Sequence, residues 1–280
     1  MERRSVVLDG GLELSYLEGG SGHPLIMLPG WSQSAAEFER QFDALTAVAR
    51  VIAVDHRGHG ESSSPEGGYR IQRLAKDLRE LIDALDLDRP DLLGHSMGTS
   101  VIWSYLSMFG RERPARRLVL VDQAPAVLAQ PGWDEDDVAR YGCLLPDAAA
   151  LAAFEGGVVA SGTVETAKEL IRGMFTADVP ESDLEWVAAE NLKLPREQAA
   201  HLLHDHCVID WRSDIPAITL PTLVIGAEAS IFSAASQRWV ADSIAGAEVE
   251  IFPADDGGSH FMFFENPERF NARVAGFLSA

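Results

Sequence analysis

The chain has 280 residues, 46% of them hydrophobic, enough to bury a sizeable core but too few for two full-sized enzyme domains. Its formal charge of −20, from 43 acidic against 23 basic residues, argues against nucleic acid and anionic membranes and favours a neutral small molecule as the partner. No apolar run approaches the roughly 18 residues of a membrane span. The N-terminus enters strand-like alternation without a signal-peptide core, and Cys143 and Cys207 make no disulfide framework. A cytoplasmic protein, monomer or homodimer, is expected.

Residues 5–18 alternate apolar and polar about Gly10-Gly11, which predicts a β-hairpin. Pro24–Leu28 is a continuous apolar run, the pattern of a strand buried on both faces, and it ends in Pro29-Gly30-Trp31-Ser32-Gln33. Ser34 can cap a following helix with Phe38, Phe42, Leu45 and Val48 as its core stripe. Val51–Val54 predicts another buried strand, leading into the polar loop Asp55–Ser62. Helical spacing over Tyr69–Leu87 (Leu74, Leu78, Leu81, Ile82, Leu85) predicts a helix.

Next, an apolar run feeds into Gly94-His95-Ser96-Met97-Gly98, and an apolar segment follows. This is strand, tight turn, helix. Ser96 at the apex is expected in a strained backbone conformation, its hydroxyl pushed into the open. After the predicted strand Arg117–Val121 the rhythm changes. Helices are predicted at 134–142, 147–155, 164–176, 181–192 and 196–207, with no buried strand among them. Strand character returns at 221–226, then a helix at 234–245, a last strand at Val249–Phe252 and a closing helix at 267–278. Alternating strand and helix predicts a parallel sheet with helices on both faces. The expected division is a core of 1–124 and 217–280, with a helical cap of 125–216 over the strand ends.

Taken with Asp55-x-Arg57-Gly58-x-Gly60-x-Ser62 and Gly258-Ser259-His260-Phe261, the Ser96 turn makes the chain resemble the α/β-hydrolase superfamily, in its small esterase, lactonase and haloperoxidase branches. The resemblance implies an α/β fold with an eight-stranded, mostly parallel sheet, and a nucleophile, acid and histidine in that chain order. Ser96 is then the nucleophile and His260 its base. The Met97 and Trp31 amides are the expected oxyanion donors, although Pro29-Gly30 stands where relatives have His-Gly. The acid is open. Relatives place Asp three residues after the glycine ending strand seven, and counting from Gly226 lands on Ala229. Glu228 lies one residue short, while Asp122, at the end of strand six, is where some branches carry the acid and is the expected acid here.

Trp31, His95, Trp186, Phe175 and Phe261 are expected against the substrate, with Trp133, Tyr141 and Met174 adding apolar surface from the cap. His201, His204 and His206 lie close in sequence, but side chains on one helix cannot all converge on one ion. No metal or cofactor is expected. The expected activity is hydrolysis of a neutral, hydrophobic carboxylic ester or lactone through an acyl-enzyme. The alternative is a cofactor-free dioxygenase of the hydroxyquinolone type, with His260 as base.

Overall fold

A computed structural model describes residues 1–280. Eight strands form one sheet: β1 Glu2–Val7, β2 Glu13–Gly19, β3 Pro24–Leu28, β4 Arg50–Val54, β5 Asp91–His95, β6 Leu118–Val121, β7 Thr222–Ala227 and β8 Glu248–Phe252. Their spatial order is β1-β2-β4-β3-β5-β6-β7-β8. β2 runs antiparallel to β1 and β4, and every other pairing is parallel.

The central strands are apolar throughout because both faces are covered. Along β3, Ile26 joins one hydrophobic cluster while Leu25 and Met27 join the other; Leu92 and Leu93 of β5 divide the same way. Alternate residues of a strand point to opposite faces, so a continuous apolar run feeds two cores. Helices α1 Glu39–Leu45 and α11 Pro267–Ser279 pack together on one side, α2 Ile71–Ala84 and α3 Met97–Phe109 on the other.

The loop after β4 is a clasp. The Asp55 carboxylate accepts the Ala35 amide at 2.7 Å and an Arg3 nitrogen at 2.6 Å, while Arg57 grips Asp77 of α2 through two 2.6 Å contacts. A buried two-pronged pair of this kind fixes orientation as well as position.

Between β6 and β7 lie five helices: α4 Glu135–Tyr141, α5 Ala148–Ala160, α6 Val164–Ile171, α7 Glu181–Asn191 and α8 Arg196–Val208. α5 runs past its predicted end because Val158 is fully buried in the core and Ser161 closes the turn through its hydroxyl on the Val158 carbonyl. Val48, predicted on the core stripe of α1, lies beyond that helix and is exposed. After β7 come α9 Ala234–Ser243 and, before α11, the short α10 Met262–Glu265, which the periodicity does not predict. No helix is long and apolar enough to cross a membrane.

The topology has one consequence for function. β3, β5, β6, β7 and β8 run parallel, so the segments leaving their carboxyl ends meet along one edge of the sheet. Those segments carry Trp31, Ser96, Asp122, Ser230 and His260.

Candidate active site

Ser96 leaves β5 with φ 50° and ψ −122°, a conformation that L-residues rarely adopt, and α3 begins at the next residue. The bend forces close approach. A Cβ on Gly94 would come within 2.6 Å of the Gly98 backbone, and one on Gly98 within 2.2 Å of the Leu28 carbonyl oxygen. Only hydrogen fits at either place. The Ser96 side chain lines a cavity at the sheet edge.

His260 lines the same cavity. Its Nδ1 lies 2.6 Å from Asp122 Oδ2, which also accepts the Ser230 hydroxyl. Asp122 follows β6 with φ 49°, a second strained residue on this edge. It is wholly buried, and its Oδ1 has no partner. Burial raises this carboxyl above its ordinary range, against the Ser230 hydroxyl and the charge of His95, which lower it. Burial, with the charge of His95 as a smaller cause, holds the His260 imidazole well below its ordinary 6.5. The direction that bears on chemistry is that of His260, a base kept unprotonated with Nε2 unengaged by the protein.

Glu228 does not reach this pair. It is exposed, and its carboxylate accepts the Ala254 amide at 3.2 Å. Ser230, which the sequence reading passes over, is the side chain from this segment that does reach it. It sits one residue beyond the position where relatives carry the acid.

The loop after β3 supplies backbone donors. The Trp31 amide meets no protein acceptor, and Met97, as the first residue of α3, has none within its helix. A buried carboxylate fixes this loop. Glu37 accepts the Gly30 amide at 3.2 Å and lies 3.2 Å from His95 Nδ1, while His95 Nε2 donates to the His260 carbonyl at 3.0 Å. His95 borders the cavity, but both its nitrogens are taken by the protein. It therefore supports the turn, and with both nitrogens taken it has none left to hydrogen-bond a substrate. Glu37 itself carries no sequence signal; burial raises its carboxyl above the usual range, with His95 opposing.

Residues 31–34 also dock the inserted helices. Trp31 Nε1 donates to Ala199 O at 2.8 Å, Ser32 Oγ to Asn191 O at 2.7 Å, Gln33 Nε2 to Val187 O at 3.4 Å, and Ser34 Oγ to Glu190. The cavity volume is about 50 Å³, walled by Trp31, Phe154, Met174, Leu203, Phe232 and Phe261 among others. Trp186 and Phe175 are not on its wall. Trp186 stacks on Phe264, and Phe175 stacks on Phe261 at 4.5 Å, one layer behind it. Trp133 and Tyr141 also lie outside, packed against each other at 4.8 Å beneath the Arg212 guanidinium. Each aromatic packs against another side chain rather than facing the cavity, which composition alone cannot distinguish from a pocket wall. Of the three α8 histidines, His201 and His204 face solvent and His206 lines the cavity.

A family model of the alpha/beta hydrolase fold matches residues 23–267. The non-heme chloroperoxidase CPO-A1 of Kitasatospora aureofaciens is 28% identical over 281 residues, covering 96% of this chain and 97% of its own. Among solved structures, an esterase from Exiguobacterium antarcticum is similar with a TM-score of 0.87 at 25% identity, over 99% of both chains. The enol-lactonase of Burkholderia xenovorans LB400 is similar with a TM-score of 0.82 at 25% identity, over 99% of this chain and 100% of its own.

Proposed function

Since this chain belongs to the alpha/beta hydrolase family, we propose that it is a serine hydrolase that cleaves a compact, neutral carboxylic ester or lactone through an acyl-enzyme. One observation carries the reading: Asp122 occupies His260 Nδ1 at 2.6 Å, which leaves Nε2 as the basic nitrogen in the cavity that Ser96 also lines. A serine hydroxyl becomes a nucleophile when a neighbouring base takes its proton. His260 Nε2 takes the Ser96 proton as Oγ attacks the carbonyl carbon, and Asp122 holds the ring in the required tautomer. The Trp31 and Met97 amides donate to the developing oxyanion. His260 returns the proton to the leaving oxygen, then activates the water that releases the acid. The inserted helices act as a cap that closes this chemistry from solvent.

The small apolar cavity favours compact substrates, and the esterase and enol-lactonase likenesses favour ester and lactone carbonyls. The test is covalent. A fluorophosphonate should label the wild-type protein at the Ser96 peptide, and short 4-nitrophenyl esters should be turned over with a burst. A folded protein that neither takes the label nor turns over any short ester or lactone would overturn the reading.

A further inference from the structure

The proposed reaction leaves one polar side chain on the cavity wall without a task. His206 of α8 is 4% exposed and lines the cavity with Ser96 and His260. Its Nδ1 is buried with no partner, and Nε2 makes no hydrogen bond either. The contrast with the neighbouring rings is sharp. His95 uses both nitrogens within the protein, and His260 uses Nδ1.

Nothing about the ring's own bonding holds it there; the helix does. α8 is fixed by Leu202 and Leu203 in the core, by Ala199 O accepting the Trp31 indole, and by Asp205 accepting the Ile71 amide at 2.8 Å. Burial, with His260 as a smaller cause, lowers the imidazole to about 4, so it is neutral near pH 7 and offers one donor and one acceptor. Burying Nδ1 unpaired is unfavourable, and Nε2, also without a protein partner, is left for a ligand in the cavity. A second atom of this kind, Gln33 Oε1, is buried and unpaired on a residue of the same wall. No lysine or arginine lines the cavity, so a carboxylate would lose its hydration there with no cation to offset it.

We propose that His206 is a specificity-determining residue that hydrogen-bonds a second oxygen function, a carbonyl or hydroxyl, carried by the ester or lactone that Ser96 attacks. The substrate class is then a short, uncharged oxo- or hydroxy-substituted ester or lactone, rather than a plain alkyl ester. This rests on the hydrolase reading for its chemistry, but its binding consequence does not.

Ethyl butanoate, ethyl 3-oxobutanoate and ethyl 3-hydroxybutanoate form the matched set. Calorimetric titration of Ser96→Ala protein removes turnover from the measurement. At least one substituted ester should bind about tenfold more tightly than ethyl butanoate, the worth of one good hydrogen bond. Adding His206→Leu should erase that preference without weakening ethyl butanoate or lowering the melting temperature, since an unpaired buried ring is replaced by an apolar one. His206→Gln, which keeps a donor and an acceptor, should recover part of it. In otherwise wild-type protein the same preference should appear in kcat/KM by pH-stat. Equal affinity for all three esters, or a preference that survives His206→Leu, overturns the proposal. So does a uniform loss of affinity with a lowered melting temperature in both the Leu and Gln variants. Failure of fluorophosphonate labelling at Ser96 would count against the hydrolase chemistry alone, and the affinity ratio would still decide the role of His206.

Discussion

Two acid–imidazole pairs stand side by side at the edge of this sheet, their rings 4.7 Å apart. Asp122–His260 and Glu37–His95 are built from the same residue types, and all four side chains are buried. They differ in what remains unused. His95 donates through Nε2 to a carbonyl and meets Glu37 through Nδ1, so the ring is closed to any ligand. His260 meets Asp122 through Nδ1 and keeps Nε2 unengaged in the cavity that Ser96 also lines. Backbone geometry differs as well: Asp122 is held at φ 49°, while Glu37 sits in an ordinary helical turn. A histidine and a carboxylate in contact do not define a catalytic pair; the unspent nitrogen does.

The hardest test of that distinction removes the group the free nitrogen is proposed to serve. Ser96→Ala should lower kcat on the best ester roughly 10⁶-fold, as when a triad nucleophile is deleted elsewhere. A variant that keeps a large fraction of its activity would sink the hydrolase reading and point to the dioxygenase alternative, in which His260 deprotonates the substrate itself. Asp122→Asn comes next. Asparagine tolerates the same positive φ, so the backbone should hold. An amide favours the wrong imidazole tautomer, and kcat should fall by up to ~10⁴-fold with little change in melting temperature.

The pH profile follows from the same pair. Protonation of His260 removes the base, and burial places that protonation well below 6.5. kcat/KM should therefore stay level as the pH is lowered through 6.5 and fall only in more acidic solution. A half-maximal point at or above 6.5 would mean that His260 is far better solvated than its burial allows.

What the sequence made legible divides along the same line between pattern and singularity. β3 has the bounds the apolar run predicts, and all five inserted helices overlap their predicted spans, because periodicity over many residues is redundant. The placement of Ser96, Asp122 and His260 at one edge was legible too, from glycines around a sharp turn and from strand ends that a parallel sheet must bring together. Glu37 and Ser230 were not, since each is a single polar residue whose role exists only through a contact distant in the chain. The pocket wall failed for a related reason. Trp186 and Phe175 look like pocket aromatics by composition, but Phe264 and Phe261, from the other end of the chain, cover them.

Glu37→Gln should separate the two pairs further. The His260 carbonyl can only accept, so His95 Nε2 carries a hydrogen, and a proton also lies between Nδ1 and Glu37. Glutamine mimics a protonated glutamate, so kcat should fall less than about tenfold, against the far larger loss for the same acid-to-amide change at Asp122. Stability gives a second readout. Burial raises the Glu37 carboxyl above 4.5, so its proton is bound more tightly in the folded state, and wild-type stability is lost as the pH rises through that raised value. The variant lacks this loss. Its melting temperature relative to wild type should improve with rising pH; a flat difference would mean that Glu37 titrates normally.

The smallest expected effect belongs to Glu228, the other acid that the sequence leaves open. It follows β7 directly, its amide donating to the Phe252 carbonyl and its carboxylate accepting the Ala254 amide. One contact ties the end of β7 to the last residue of β8 and the other to the segment after it, and neither touches His260. The side chain is exposed, so removing its charge leaves no buried group unpaired, and water replaces what the carboxylate provided. Glu228→Gln retains an oxygen for the Ala254 amide. kcat should stay within about twofold of wild type, and stability should move by no more than the roughly 0.5 kcal/mol of an ordinary surface change. Steady-state kinetics beside Asp122→Asn makes the measurement a direct contest. If Glu228→Gln lowered kcat by orders of magnitude while Asp122→Asn were mild, the acid serving His260 would come from the end of β7, and the Asp122–His260 contact would be a structural pair like its neighbour.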